Sequence, residues 1–253
     1  MALPAHHTKH LSALHYPFLS TSFTLAQRDD GLSNGTALWL GAQCLSLYLA
    51  SLHTRRPASL RTPRAVELGS GVGLMPLALA SLGYDVVATD IPAVTRSVLG
   101  PNIRANAGAG RVEVRVLDWT VDPGEWKWDV EHSVTPLGPV DTQEGLLAPP
   151  FDLIVSADTL YDPALVRPLL RTLHALSELS IVAGRAPPVY ICLERRDPAL
   201  IDAALAAARD EWGFAVERVP GRKVARAMER GGVRWAKSEW EGVEVWKLQL
   251  TPG

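Results

Sequence analysis

The sequence predicts an α/β chain in which a parallel sheet is covered by helices on both faces. Three observations lead there. From about residue 64 onward, short apolar runs alternate with stretches of helical length. A glycine-rich turn, Gly69-Ser70-Gly71-Val72-Gly73, joins the first such run to a helical stretch. Three successive runs carry an acid at or beside their ends: Glu67, Asp90 and Asp118.

Taken in order, residues 1–31 read as an N-terminal arm. It holds four of the seven histidines, His6, His7, His10 and His15, in no defined metal spacing, and a loosely packed segment is expected. From Thr36, TALWLGAQCLSLYLASL places Leu40, Cys44, Leu47 and Leu52 at mostly helical intervals. RAVELG is a short apolar strand, and VGLMPLALASLG a helix closed by Gly83. YDVVATD is a second strand and residues 92 to about 106 a second helix. RVEVRVLDW and FDLIVSAD are the third and fourth strands, and residues 163–179 a helix. VYICLERR is a fifth strand, followed by a helix that starts at Pro198. FAVERVP and VEVWKLQL supply the last two strands.

Two stretches break the alternation. Residues 122–150 are rich in Pro, Gly and acids and read as an insertion loop, functional or disordered. Residues 220–240, PGRKVARAMERGGVRWAKSEW, are basic and fit either a substrate-facing insertion or a solvated helix.

Composition narrows the function. The chain has 253 residues, 47% of them hydrophobic, enough for one sizeable core. No apolar run reaches the ~18 residues of a membrane span, and MALPAHHTKHLSALHYPF lacks the pattern of a secretory signal. The only two cysteines, Cys44 and Cys192, lie in apolar segments and read as buried thiols in a reducing compartment, cytoplasmic or nuclear. No metal is expected. A formal net charge of −2 gives no global field for nucleic acid.

The glycine turn selects among cofactors. A dinucleotide fingerprint needs a third glycine where Leu74 or Pro76 stands, and no Gly-Lys-Ser/Thr follows to make a phosphate loop. Glu-x-Gly-x-Gly-x-Gly, from Glu67 to Gly73, does fit, and it resembles motif I of the seven-strand S-adenosylmethionine-dependent methyltransferases. That cofactor has no pyrophosphate. The glycines admit its close approach and Glu67 suits its amino group. Asp90 suits the two ribose hydroxyls, and Asp118 the adenine amine, with Trp119 beside the ring.

With Asn-Gly-Thr-Ala-Leu-Trp (Gly35, Trp39), Leu-Asp-Trp at 117–119 and Asp158-Thr-Leu-Tyr161, the chain resembles family 16 of the methyltransferase-like proteins, mostly protein-lysine methyltransferases. The resemblance runs from about Leu32 to Leu250. Glu194-Arg195-Arg196 and VEVWKLQL are most similar to the methyltransferase-like protein 22 branch. The resemblance implies a Rossmann-like seven-stranded sheet, mostly parallel, with an antiparallel strand near the C-terminus, over residues 32–253. It implies S-adenosylmethionine held by Trp39, Glu67, Gly69, Ser70, Gly71, Gly73, Asp90, Asp118, Trp119 and Ala157. Asp158, Tyr161 and Glu194 would form the catalytic set. A protein lysine would be the acceptor, on a translation factor, a chaperone or a nucleic-acid-binding protein, and the enzyme would be a monomer away from membranes.

Other readings compete. Nucleic-acid amine methyltransferases carry [DN]-P-P-[YFW] after the fourth strand, where this chain has Asp158-Thr159-Leu160-Tyr161. Its one Pro-Pro-aromatic run, Pro149-Pro150-Phe151, precedes that strand. A small-molecule N-methyltransferase and a non-catalytic S-adenosylmethionine-binding module remain as alternatives.

Overall fold

The computed structural model describes residues 2–28, 34–53, 61–135 and 142–251, so the domain boundary expected after residue 31 lies outside the described residues. A hairpin of β1 (Ala13–Phe18) and β2 (Thr21–Ala26) comes first, followed by α1 (Leu40–His53). Then come β3 (Arg64–Leu68), α2 (Leu74–Ser81) and β4 (Asp85–Asp90). The expected second helix is one helical run, α3 (Pro92–Val94) passing through a π-helical turn (Thr95–Leu99) into α4 (Gly100–Ala105). Next are β5 (Val112–Val116), β6 (Leu153–Ala157), α5 (Pro163–Leu179), β7 (Pro188–Glu194) and α6 (Pro198–Asp210). The chain closes with β8 (Phe214–Arg218), α7 (Gly221–Arg230) and β9 (Val243–Leu250).

The seven strands β3 to β9 pair in the order β5-β4-β3-β6-β7-β9-β8. All neighbours are parallel except β9, which runs antiparallel to both β7 and β8. This is the seven-stranded, mostly parallel sheet expected. The strand order reverses between β3 and β6, and in open α/β sheets ligands bind beyond the strand C-termini at such a switch point. Alternation along each strand divides the core. Val86 and Ala88 of β4 pack on the α1, α2 and α7 side, while Val87 joins Ile154, Ile191 and the apolar stripes of α5 and α6. Pro163 and Pro198 open α5 and α6, with Asp162 and Asp197 as side-chain caps.

Two segments differ from expectation. The described part of the N-terminal arm, residues 2–28, is packed, not loose: β1 buries Leu14, Tyr16 and Phe18, and Phe18 stacks on Phe23 at 5.9 Å. The open edge of β2 finds its partners in two asparagines. The amide of Asn102 accepts from Ala26 N (2.8 Å) and donates to Ala26 O (2.9 Å), and Asn106 does the same for Thr24. Gln27 and Gln43 tie down residues 3–11 through Leu3 O, Ala5 N, Thr8 O and Leu11 O.

The described part of the 122–150 insertion is packed rather than loose and runs along the edge strand β5. Val116 N donates to His132 O (2.9 Å) and Val134 N to Val116 O (2.8 Å), so the backbone groups at the end of this edge strand are satisfied. The insertion buries its own Trp126, Val134 and Leu147. Arg115, fully buried, bridges the carboxylate of Glu113 and donates to Trp128 O at 2.8 Å. Within the basic segment the structure forms a solvated helix. α7 buries Val224, Ala227 and Met228 against the core and turns Arg222, Lys223, Arg226 and Arg230 outward.

Cutting Arg115 to Ala removes the donor to the Trp128 carbonyl and one of the two arginines on Glu113, which keeps Arg111 and Leu147 N. Urea unfolding should register a loss of about 1–3 kcal/mol; an unchanged midpoint would mean that the arginine does not tie the insertion to β5.

Candidate active site

A cleft of about 430 Å³ opens at the C-terminal ends of the parallel strands. Gly69 follows β3, Asp90 ends β4, Asp118 and Trp119 follow β5, Ala157 to Tyr161 end and follow β6, and Glu194 ends β7; these line it together with Trp39. Nine of the thirteen residues singled out in the sequence therefore contact one space: Trp39, Gly69, Asp90, Asp118, Trp119, Ala157, Asp158, Tyr161 and Glu194. Glu67, Ser70, Gly71 and Gly73 stand behind it and shape the turn.

The turn is built on backbone that only glycine adopts easily. Gly69 and Gly73 have φ of 70° and 90°. A Cβ on Gly71 would lie 3.2 Å from the Gly35 carbonyl oxygen, so the segment before Trp39 packs directly on the turn. Ser70 N donates to Thr89 O (2.9 Å) and Gly73 N to Ser70 O (2.9 Å).

The acids are held by backbone amides. Asp90 accepts from Gly71 N through Oδ2 and from Ile91 N through Oδ1, each at 2.8 Å. Burial nonetheless pushes its pKa up to about 6, against those two amides that lower it. Asp118 Oδ1 accepts from Thr120 N (2.8 Å) and Thr120 Oγ1 (2.7 Å). Arg171 fixes that turn by donating to the carbonyls of Trp119, Thr120 and Val121. Glu67 is fully buried, and burial raises its pKa well above the usual carboxylate value; its Oε2 has no hydrogen-bond partner.

Asp158 sits in the left-handed region, φ 57°, a conformation uncommon outside glycine and one that Asp tolerates better than most. This turns its carboxylate onto the first turn of α1, where Oδ2 accepts from Gly41 N at 2.7 Å. Burial raises its pKa to about 6, opposed by that amide and the nearby Arg196 charge. A Cβ at position 41 would fall 2.5 Å from the same oxygen, so Gly41 makes room for the carboxylate. Tyr161 stands at the rim, half exposed, its pKa raised by burial and the Asp90 charge.

Glu194 is ion-paired with Arg196, and Arg196 lies over the Trp39 ring at 4.9 Å. Lys9 Nζ lies 3.3 Å from the same ring centroid, so the chain's own cations contact this aromatic. Trp39 Nε1 donates to Asn34 O at 2.6 Å. Arg195 points away, to Glu244 and Asp202. Arg196 and Asn34, which the sequence offered only as parts of motifs, and Ile91 also line the cleft. Pro149-Pro150-Phe151 lies before β6, at the opposite edge from the cleft.

The residues fit S-adenosylmethionine on this structure's own terms. An unpartnered carboxylate oxygen lies buried behind the glycine turn, the Trp119 indole nitrogen is likewise buried without a partner, and acids line the cleft at the ends of β4 and β5.

A family model described as lysine methyltransferase matches residues 20–131, which include Trp39 and every expected cofactor residue up to Trp119. Protein N-lysine methyltransferase METTL21A of Mus musculus is 31% identical over 186 residues, 68% of this chain and 72% of that protein. Protein-lysine N-methyltransferase EEF2KMT of Bos taurus is 29% identical, across 70% of this chain and 53% of its own length. Methyltransferase-like protein 22 of Homo sapiens is 28% identical, across 56% and 34%. Among solved structures, the precorrin-6y C5,15-methyltransferase of Geobacter metallireducens covers 89% of this chain and 93% of its own, with TM-score 0.50 and 9% identity. A candidate methyltransferase complexed with SAH covers 96% and 57%, with TM-score 0.50 and 10% identity. These two show the fold.

Because Asp158 caps α1, Asp158→Ala should lower stability by about 1–2 kcal/mol, seen as a depressed melting temperature. Asp158→Asn retains an acceptor for Gly41 N and should lose less. Equal melting of both variants and the parent would remove the capping contact from the account.

Proposed function

From the premise that the chain belongs to the lysine methyltransferase family, with S-adenosylmethionine as its cofactor, we propose that it methylates a lysine side chain of a protein substrate by way of this cleft. One observation supports this most: the cofactor-type acids and Asp158 line the same cleft, on either side of the switch point between β3 and β6.

When bound, S-adenosylmethionine supplies a methyl group on a positively charged sulfur. Asp90 would accept from the ribose hydroxyls with the lone pairs that Gly71 and Ile91 leave available. Asp118 and Trp119 would hold the adenine, and Glu67 the amino group. A cation near Glu67 favours the ionised carboxylate and so draws its raised pKa back down.

The acceptor lysine has to be neutral. With a free pKa near 10.4, that costs roughly 4.6 kcal/mol at pH 7. Desolvation against the aromatic walls of the cleft offsets part of the cost, while its carboxylates act in the opposite sense. Asp158 orients the amine and takes its proton; with a pKa near 6 it is ionised at neutral pH and more basic than an ordinary aspartate. Tyr161 walls the entrance. Glu194 acts through Arg196, fixing the cation that packs on Trp39. Most of the acceleration comes from alignment of nitrogen with the methyl carbon. Two buried free thiols suit a reducing compartment, cytoplasmic or nuclear, and the enzyme is taken to act as a monomer.

The test incubates the protein with methyl-labelled S-adenosylmethionine and a cell extract, then separates protease-sensitive, nuclease-sensitive and small-molecule label. Protein-bound label recovered as methyllysine after hydrolysis is expected. Asp158→Asn should reduce it by at least about 100-fold while leaving cofactor affinity within a few-fold. Label in either other fraction would overturn the substrate class, and undiminished label in Asp158→Asn would overturn its role. Gly41→Ala, which crowds the Asp158 carboxylate, should likewise depress transfer far more than cofactor binding; equal depression of both would mean that Gly41 serves the fold alone.

A further inference from the structure

Outside the cleft lining, the fold brings together three side chains that the mechanism does not use. His6 and His7, in the short 3-10 turn Ala5–His7, both point Nε2 at one carboxylate oxygen, Oε2 of Glu239, at 2.7 and 3.0 Å. Glu239 lies in a second 3-10 turn, Lys237–Trp240, more than 230 residues along the chain. The three ligand atoms all lie within 4.8 Å of one another. We propose that His6, His7 and Glu239 form a surface site for a divalent transition metal such as Zn²⁺.

Donor chemistry supports it. Two imidazole nitrogens and one carboxylate oxygen are a common zinc ligand set, which leaves a fourth position for water. Ligands bound to one tetrahedral zinc at about 2.1 Å stand roughly 3.4 Å apart, so the two histidine–glutamate contacts, at 2.7 and 3.0 Å, need to open by about half an ångström. All three side chains are partly exposed and free to make that adjustment.

Without a metal, two imidazole nitrogens converge on one carboxylate oxygen with their ring centroids 4.4 Å apart. One dication satisfies all three donors at once.

The backbone carrying the ligands is already fixed. Ala5 is buried and its N–H donates to Gln43 Oε1 at 2.8 Å, while Trp235 Nε1 donates to Ala2 O at 2.8 Å. Trp240, next to Glu239, packs partly buried against the core. The ligands thus stand on two anchored turns, and little ordering is left for the metal to impose. A bound ion would staple the first residues of the chain to the segment before β9, two residues upstream of the Lys9 that covers Trp39.

The measurement is calorimetric titration of ZnCl₂ into the full chain, freed of any affinity tag and of chelator. One Zn²⁺ per chain with micromolar or tighter affinity is expected. His6→Ala/His7→Ala and Glu239→Gln should each weaken it by at least about 10-fold, with S-adenosylhomocysteine binding unchanged as the check on folding. Binding weaker than millimolar, or binding that survives these substitutions, would overturn the site and leave a histidine–carboxylate ion pair.

Discussion

The constraint on which the structure turns is the burial of carboxylates at the C-terminal edge of a parallel sheet. A carboxylate withdrawn from water needs partners or a proton. Here the partners are backbone amides: Gly71 and Ile91 for Asp90, and Gly41 of α1 for Asp158. Each contact fastens a strand end to the next piece of chain, so one set of bonds fixes the glycine turn, seats α1 and leaves acceptor oxygens lining a cleft. Glu67 is the exception. Burial raises its pKa, opposed by the Ser70 hydroxyl, and its Oε2 is buried with no close hydrogen-bond partner.

That dual use gives the Asp158 turn its character. A residue held at positive φ, buried and capping a helix is strained and costly to keep ionised. The same placement makes its carboxylate more basic than usual and rigid from behind. Gly41 is the counterpart on the helix side, since any Cβ there would displace the carboxylate. Stability of the α1 start and chemistry in the cleft are therefore coupled through one hydrogen bond.

The sheet was legible because central parallel strands are buried on both faces and read as apolar runs, and because Pro and Asp mark the starts of α5 and α6. The acids were legible because each ends such a run. The N-terminal hairpin was not: Ala13–Phe18 mixes histidine and proline into a short alternation, and its burial depends on Asn102 and Asn106 from a distant helix. The described residues of 122–150 lack periodicity because, apart from one 3-10 turn, they follow an edge strand rather than forming a helix or strand. Gly41, Arg196 and the meeting of His6, His7 and Glu239 arise from contacts that no local spacing encodes.

The central claim is that the buried strand-end acids seat S-adenosylmethionine, and Asp90 is where it is most exposed to test. Its pKa near 6 means that it is ionised at neutral pH and gains a proton as pH falls, losing acceptor capacity for the ribose hydroxyls. Calorimetric titration of S-adenosylhomocysteine from pH 8 to pH 5 reads this directly. Affinity should hold steady above about pH 7 and fall through pH 6, while Asp90→Asn binds weakly at every pH with that inflection gone. Binding that is independent of pH, or an Asp90→Asn protein that keeps the parent's affinity, would contradict the account.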